Sequence, residues 1–156
     1  MNKKLLLSVI IFTGYIHIVF SVHAQSEPGR NKNFKKSDTE WRLVWADEFN
    51  YIGLPDPTKW GYDTEGNSFG WGNNEKQFYT SADKRNAWVE NGVLTITALK
   101  DSMEGKPYTS ARLRTKGNGD WLYGRFEIRA KNPTGKGTWP AIWMLPTESK
   151  YGGWPR

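Results

Sequence analysis

The chain has 156 residues, with 22 Lys and Arg against 16 Asp and Glu, nine Trp, two His and no Cys, and a formal net charge of +6. Without cysteine there is no disulfide framework, no thiol nucleophile and no thiolate metal site. Both histidines, His17 and His23, lie in the first 24 residues, so a chain processed after them also lacks a Ser-His-Asp triad and a His-based zinc site.

Residues 1–24 read as a secretory signal peptide. Asn2-Lys3-Lys4 gives a basic start, residues 5–20 an apolar stretch broken by Gly14 and His17, and Val22-His23-Ala24 a small-residue cleavage site before Gln25. The stretch is short for a spanning helix, so the expectation is export with no membrane association after cleavage. Residues 25–39 (QSEPGRNKNFKKSDT) are polar, basic and nearly free of apolar side chains, the composition of a disordered linker. Its charge run reads as a solvated tether, and nothing organises it into a nucleic-acid surface. Ordered structure is expected from Glu40 or Trp41, with one domain over residues 40–156.

Beyond the linker the apolar period is two rather than 3.6. Trp41, Leu43 and Trp45 alternate with Arg42 and Val44, and Phe126, Ile128 and Ala130 alternate with Arg125, Glu127 and Arg129. Residues 89–98 (VENGVLTITA) place Asn-Gly between two β-rich runs, a strong hairpin signal. No window of a dozen residues has a convincing amphipathic helical pattern. The predicted class is therefore all-β, a sandwich with a functional concave face. Large all-β sandwiches run to roughly 200–250 residues, so the stretch after residue 39 is expected to supply about the first half of one.

Three tryptophans, Trp139, Trp143 and Trp154, stand among Gly, Pro and Thr near the end of the chain. That setting suits either flat platforms at the edge of a cleft or, for any one of them, a place in a sandwich core. Platforms suit the three together better, because burying so many indoles with their N–H groups satisfied is difficult. Arg112 and Arg114 alternate with Ala111 and Leu113, so both project from one face of a strand. They suit hydroxyl contacts in a cleft or, together with Lys116, an ordinary solvated face. Asn73 and Asn74 beside Gly72 suit either a turn or a binding loop. Asp47-Glu48 reads as structural, and Glu75 as either a ligand-facing carboxylate or a surface group bonded to its own turn.

Six ordered blocks carry a resemblance. Residues 41–49 (WRLVWADEF), 70–80 (GWGNNEKQFYT), 88–98 (WVENGVLTITA), 108–116 (YTSARLRTK), 123–131 (YGRFEIRAK) and the run GKGTWPAIWMLP…YGGWPR resemble glycoside hydrolase family 16, in particular its bacterial laminarinase branch. The resemblance implies a β-jelly-roll sandwich whose curved sheet forms an open polysaccharide groove. It further implies a secreted, monomeric enzyme acting on β-1,3-glucan, or on mixed β-1,3/1,4-glucan, through two carboxylates with retention. Trp71, Asn73, Asn74, Glu75, Arg112, Arg114, Trp139, Trp143 and Trp154 are the implied substrate-binding residues.

The family's catalytic motif, Glu-x-Asp-x-x-Glu, normally begins a few residues after the Gly-Gly-Trp-Pro found here at 152–155. It does not occur in this sequence, so no catalytic residue is assigned and the alternative reading is a non-catalytic β-glucan-binding module. No cofactor is required. Relatives hold a structural calcium ion largely by backbone oxygens, which would map to Glu48 and Gly92, together with an Asp that has no counterpart here.

Overall fold

The structure, a computed structural model, describes residues 5–10, 18–25, 41–149 and 152, and their side chains from residue 41 onward. Trp154 and residues 26–40, most of the expected linker, lie outside the described residues. Two short strands come first, β1 (Leu5–Ile10) and β2 (Ile18–Gln25). They fall in the segment with leader-peptide character, and Gln25, expected to open the linker, pairs with Trp41 at the end of β2. Propensity contributes to strand formation there: the Ile, Val and Phe of an apolar leader are also strand formers.

Nine further strands follow among the described residues: β3 (Trp41–Asp47), β4 (Gly61–Tyr62), β5 (Gln77–Tyr79), β6 (Ala87–Glu90), β7 (Val93–Ile96), β8 (Tyr108–Ser110), β9 (Arg112–Arg114), β10 (Arg125–Ala130) and β11 (Ala141–Pro146). The described helical structure is a kinked 3-10 segment, Asn67–Gly72. The Asn-Gly hairpin forms as its sequence predicts. β6 and β7 pair from Ala87↔Ile96 to Glu90↔Val93, and Asn91 and Gly92 both take positive φ, 52° and 73°, as a two-residue primed turn requires.

The strands make two main sheets. One has the order β11-β1-β9-β4, the other β10-β2-β7-β6 with β3 also on β2, and β5 and β8 form a separate parallel pair. Period-two alternation then sorts the side chains. Val89, Leu94, Ile96, Ala111 and Leu113 are fully buried in one core with Phe49, Trp60 and Ala87, and Ile128, Ile142 and Met144 pack against it. Each fully buried Val, Leu or Ile side chain among them contributes about 1.5–3 kcal/mol by leaving water. Because Leu113, Ile142 and Met144 turn inward, their neighbours Arg112, Arg114 and Trp143 turn to the opposite face of the first sheet. That face positions the site.

One end of the core is organised by Asp47, whose side chain is buried. Its carboxylate accepts from Trp60 Nε1 at 2.8 Å, the Phe49 N–H at 3.1 Å and Tyr51 Oη at 3.3 Å, with Lys59 Nζ at 3.5 Å. Trp60 in turn meets Trp45 edge-on, with ring centroids 5.6 Å apart, and Trp45 meets Trp121 at 5.5 Å. The structural reading of Asp47 therefore holds, while the aromatic cluster around it was not anticipated.

Tyr62 shows a polar group stranded in this packing. Its buried hydroxyl has no hydrogen-bond partner among the described residues, and burial, then the nearby Asp83 carboxylate, pushes the phenol up to about 12 from the ordinary 10.0. Because the folded value is raised, stability from the protonated phenol is complete below pH 10 and is lost as pH climbs to 12. Tyr62→Phe should therefore raise stability by up to about 1 kcal/mol at neutral pH and flatten the loss between pH 10 and 12. Urea unfolding across that range would show it, and a variant less stable at neutral pH would mean that the hydroxyl has a partner in solution.

Candidate functional site

The site forms where the loop carrying the 3-10 segment folds over the outward face of β9 and β11. Gly70, Trp71, Gly72 and Asn74 all have positive φ, with Trp71 at 59°. For a large aromatic residue this is an unfavourable conformation, and such strain persists only where surrounding contacts hold it. Here they do. Trp71 Nε1 donates to Asn67 Oδ1 at 3.2 Å, and its ring meets Tyr79 edge-on at 5.2 Å.

Arg112 lies under this loop and is only 8% exposed, so the solvated-face reading of that residue is overturned. Its guanidinium carbon sits 4.1 Å from the Trp71 ring centroid and 5.1 Å from that of Trp143. Asp63 supplies the counter-charge, with Oδ2 at 3.0 Å from Arg112 Nε and Oδ1 at 3.3 Å from Arg114 Nη1. The Arg112 Nε–H is angled off that carboxylate rather than aimed along it. Burial pulls the guanidinium below its ordinary value, opposed first by Asp63. Arg114 is less buried and also meets Glu65 at 2.9 Å, and this exposed contact holds the Glu65 carboxyl below its usual range.

Glu75 differs from the surface carboxylate that its turn suggests. It is 7% exposed, and its oxygens accept from Asn73 Nδ2 at 3.1 Å, from Gln77 Nε2, and from Tyr79 Oη at 3.3 Å. The Tyr79 phenol is driven far upward, first by its own burial and then by the Glu75 charge. One connected network thus runs from Glu75 through Tyr79 and Trp71 to Arg112, Asp63 and Arg114.

Beside it opens a recess of about 380 Å³ lined by Asn73, Asn74, Glu75, Lys76, Tyr108 and Trp139, among others. Trp139 is 56% exposed, an open indole platform at the recess. A broader trough of about 1320 Å³ also reaches Asn74 and Glu75, with Asn67, Phe69 and Lys106 on its walls. Flat aromatic surface beside amide and carboxylate groups can pack the C–H face of a sugar while bonding its hydroxyls.

The structure therefore places Asn73, Asn74, Glu75 and Trp139 around one recess and Trp71, Arg112 and Trp143 in the adjoining stack, to which Arg114 is tied through Asp63. Asp63, Tyr79, Lys76 and Tyr108 were missed as site residues. Asp63 alone left a usable signal, as a carboxylate at the end of a short strand facing two alternating arginines.

Residues 74–153 match the family described as Glycosyl hydrolases family 16. The chain belongs to this family. A β-glucanase of Rhodothermus marinus is 60% identical over 117 residues, covering 74% of this chain and 40% of that protein. A glucan endo-1,3-β-glucosidase of Cryptopygus antarcticus is 48% identical over 121 residues, covering 74% and 43%. The X-ray structure of the laminarinase from Rhodothermus marinus superposes with a TM-score of 0.70 at 60% identity, over 74% of this chain and 46% of that one. The all-β fold is thus the jelly-roll sandwich of family 16, and the chain spans less than half the length of these relatives.

For a family 16 calcium site the fit is partial. The segment carrying Glu48 approaches Gly92: a Cβ added there would lie 3.9 Å from Asn50 Oδ1. Glu48 itself is exposed, and no group of three or more carboxylate or imidazole ligands gathers among the described residues.

Proposed function

We propose that this chain carries the glucan-binding face of a secreted enzyme that hydrolyses β-1,3-glucan of the laminarin type, or mixed β-1,3/1,4-glucan. The observation that carries the reading is the recess itself, in which the open Trp139 indole faces Asn73, Asn74 and Glu75 beside the Arg112–Trp143 stack. The β-glucanase and endo-1,3-β-glucosidase relatives support the same substrate. In this reading Trp139, Trp143 and Trp154 stack on glucosyl units, and Arg112, Arg114, Asn73 and Asn74 hold hydroxyls. Export follows cleavage after Ala24, and the mature protein acts as a monomer without nucleic-acid or membrane partners. Calcium, held by backbone oxygens near Glu48 and Gly92, would brace the far side of the fold and take no part in chemistry.

The full chain should bind laminarin oligosaccharides. Trp139→Ala should weaken that binding by about 1–3 kcal/mol, the scale of one buried aromatic contact, with its unfolding midpoint unchanged. Calorimetric titration checks the affinity, and thermal unfolding checks the midpoint. Equal affinity in the variant would remove Trp139 from the site, and no binding by the parent chain would sink the reading.

A further inference from the structure

The indole of Trp71 has no free face. A Cβ built on Gly66 would stand 2.3 Å from two carbons of the Trp71 ring, so the Gly66 backbone lies directly against one side. The Arg112 guanidinium, 4.1 Å from the ring centroid, is too close to share that side and covers the other. The ring edge is engaged as well, by Asn67 Oδ1 and by Tyr79.

We propose that Trp71 is a positioning residue rather than a sugar platform: pressed on Gly66, it fixes the plane of the Arg112 guanidinium beside Trp143. A buried guanidinium whose Nε–H meets Asp63 off-line is not oriented by that ion pair alone. Stacking on an indole restricts it to one plane and leaves its edge N–H groups as the part that can reach a ligand. The strained φ of Trp71, 59°, is then the conformation that lays its ring between Gly66 and Arg112. Gly66 is required for a distinct reason: a side chain there would occupy the space of the indole.

The proposal deepens the glucan-binding reading and rests on it only for its affinity arm. The first arm needs no ligand. In the full chain, NMR of the Arg112 side chain should show ring-current-shifted Hδ protons and an ordered Nε. Trp71→Leu and Gly66→Ala should each cut the shift to what Trp143, 5.1 Å away, leaves, and lower that order. An Arg112 signal unchanged in Trp71→Leu overturns the proposal.

The second arm is a double-mutant cycle on laminarin-oligosaccharide affinity. Trp71→Leu and Arg112→Gln should each cost about tenfold, and the double variant should cost no more than Arg112→Gln alone, because Trp71 acts through Arg112. Trp71→Phe, which keeps a flat ring, should recover most of the loss. Additive losses would mean that Trp71 meets sugar itself and would overturn the proposal. A parent chain that binds no glucan would sink the functional reading instead, leaving the NMR arm to decide the stack.

Discussion

Asp47→Ala is expected to destabilise the chain by about 3–5 kcal/mol, the range for removing one partner from a buried charged network. The carboxylate is the shared acceptor for Trp60 Nε1, the Phe49 N–H and Tyr51 Oη, and it neutralises Lys59. Its loss strips these buried donors of that acceptor at once and opens space beside Trp60 and Phe49, two of the largest fully buried side chains. Against a typical domain stability of about 5–15 kcal/mol this is a large share. Asp47→Asn keeps the volume and one carbonyl acceptor but turns an N–H₂ toward donors, so about 1–3 kcal/mol is expected from it. Urea unfolding of the full chain, with tryptophan fluorescence as the probe, orders the three proteins. An Asp47→Ala variant within about 0.5 kcal/mol of the parent, the level of an ordinary surface substitution, would mean that the network is dispensable.

Period two made much of the fold legible. It places Leu113 in the core and Arg112 and Arg114 on the other face, and the hairpin needs only the Asn91-Gly92 pair to be read correctly. The alternation says which way a side chain points but not what lies over it. Arg112 could be read as solvated because its cover, the loop through Trp71, packs onto it from some forty residues away in sequence. The same gap hid the burial of Glu75, whose donors are local but whose enclosure is tertiary. The resemblance implies Trp71 as a substrate-binding residue, and its covered ring was hidden for a related reason. Gly66 precedes it by five residues, a spacing that belongs to no regular element, and only the kinked loop turns the ring onto that glycine. At residues 5–10 and 18–25 the apolar character of a leader peptide and the propensity of a strand are one property read two ways.

On laminarin the 156-residue chain is expected to release no reducing sugar. A retaining glycosidase needs two carboxyls about 5–5.5 Å apart, one to attack the anomeric carbon and one to protonate the leaving oxygen. The carboxylates near the recess are committed elsewhere: Glu75 to Asn73, Gln77 and Tyr79, Asp63 to two arginines, and Glu65 to Arg114. The Glu-x-Asp-x-x-Glu motif that the family resemblance calls for is absent from the sequence. A chain extended through such a strand and the rest of the sandwich should instead hydrolyse β-1,3-glucan with retention of anomeric configuration. Reducing-sugar assays on both chains, with the first-formed anomer followed by proton NMR, test the two halves of this expectation separately. Turnover by the 156-residue chain would mean that carboxylates described here do the chemistry. Inversion by the extended chain would remove the double-displacement mechanism. Tight binding without turnover by the extended chain would favour the non-catalytic module, since the same indole and guanidinium surface would then serve recognition alone.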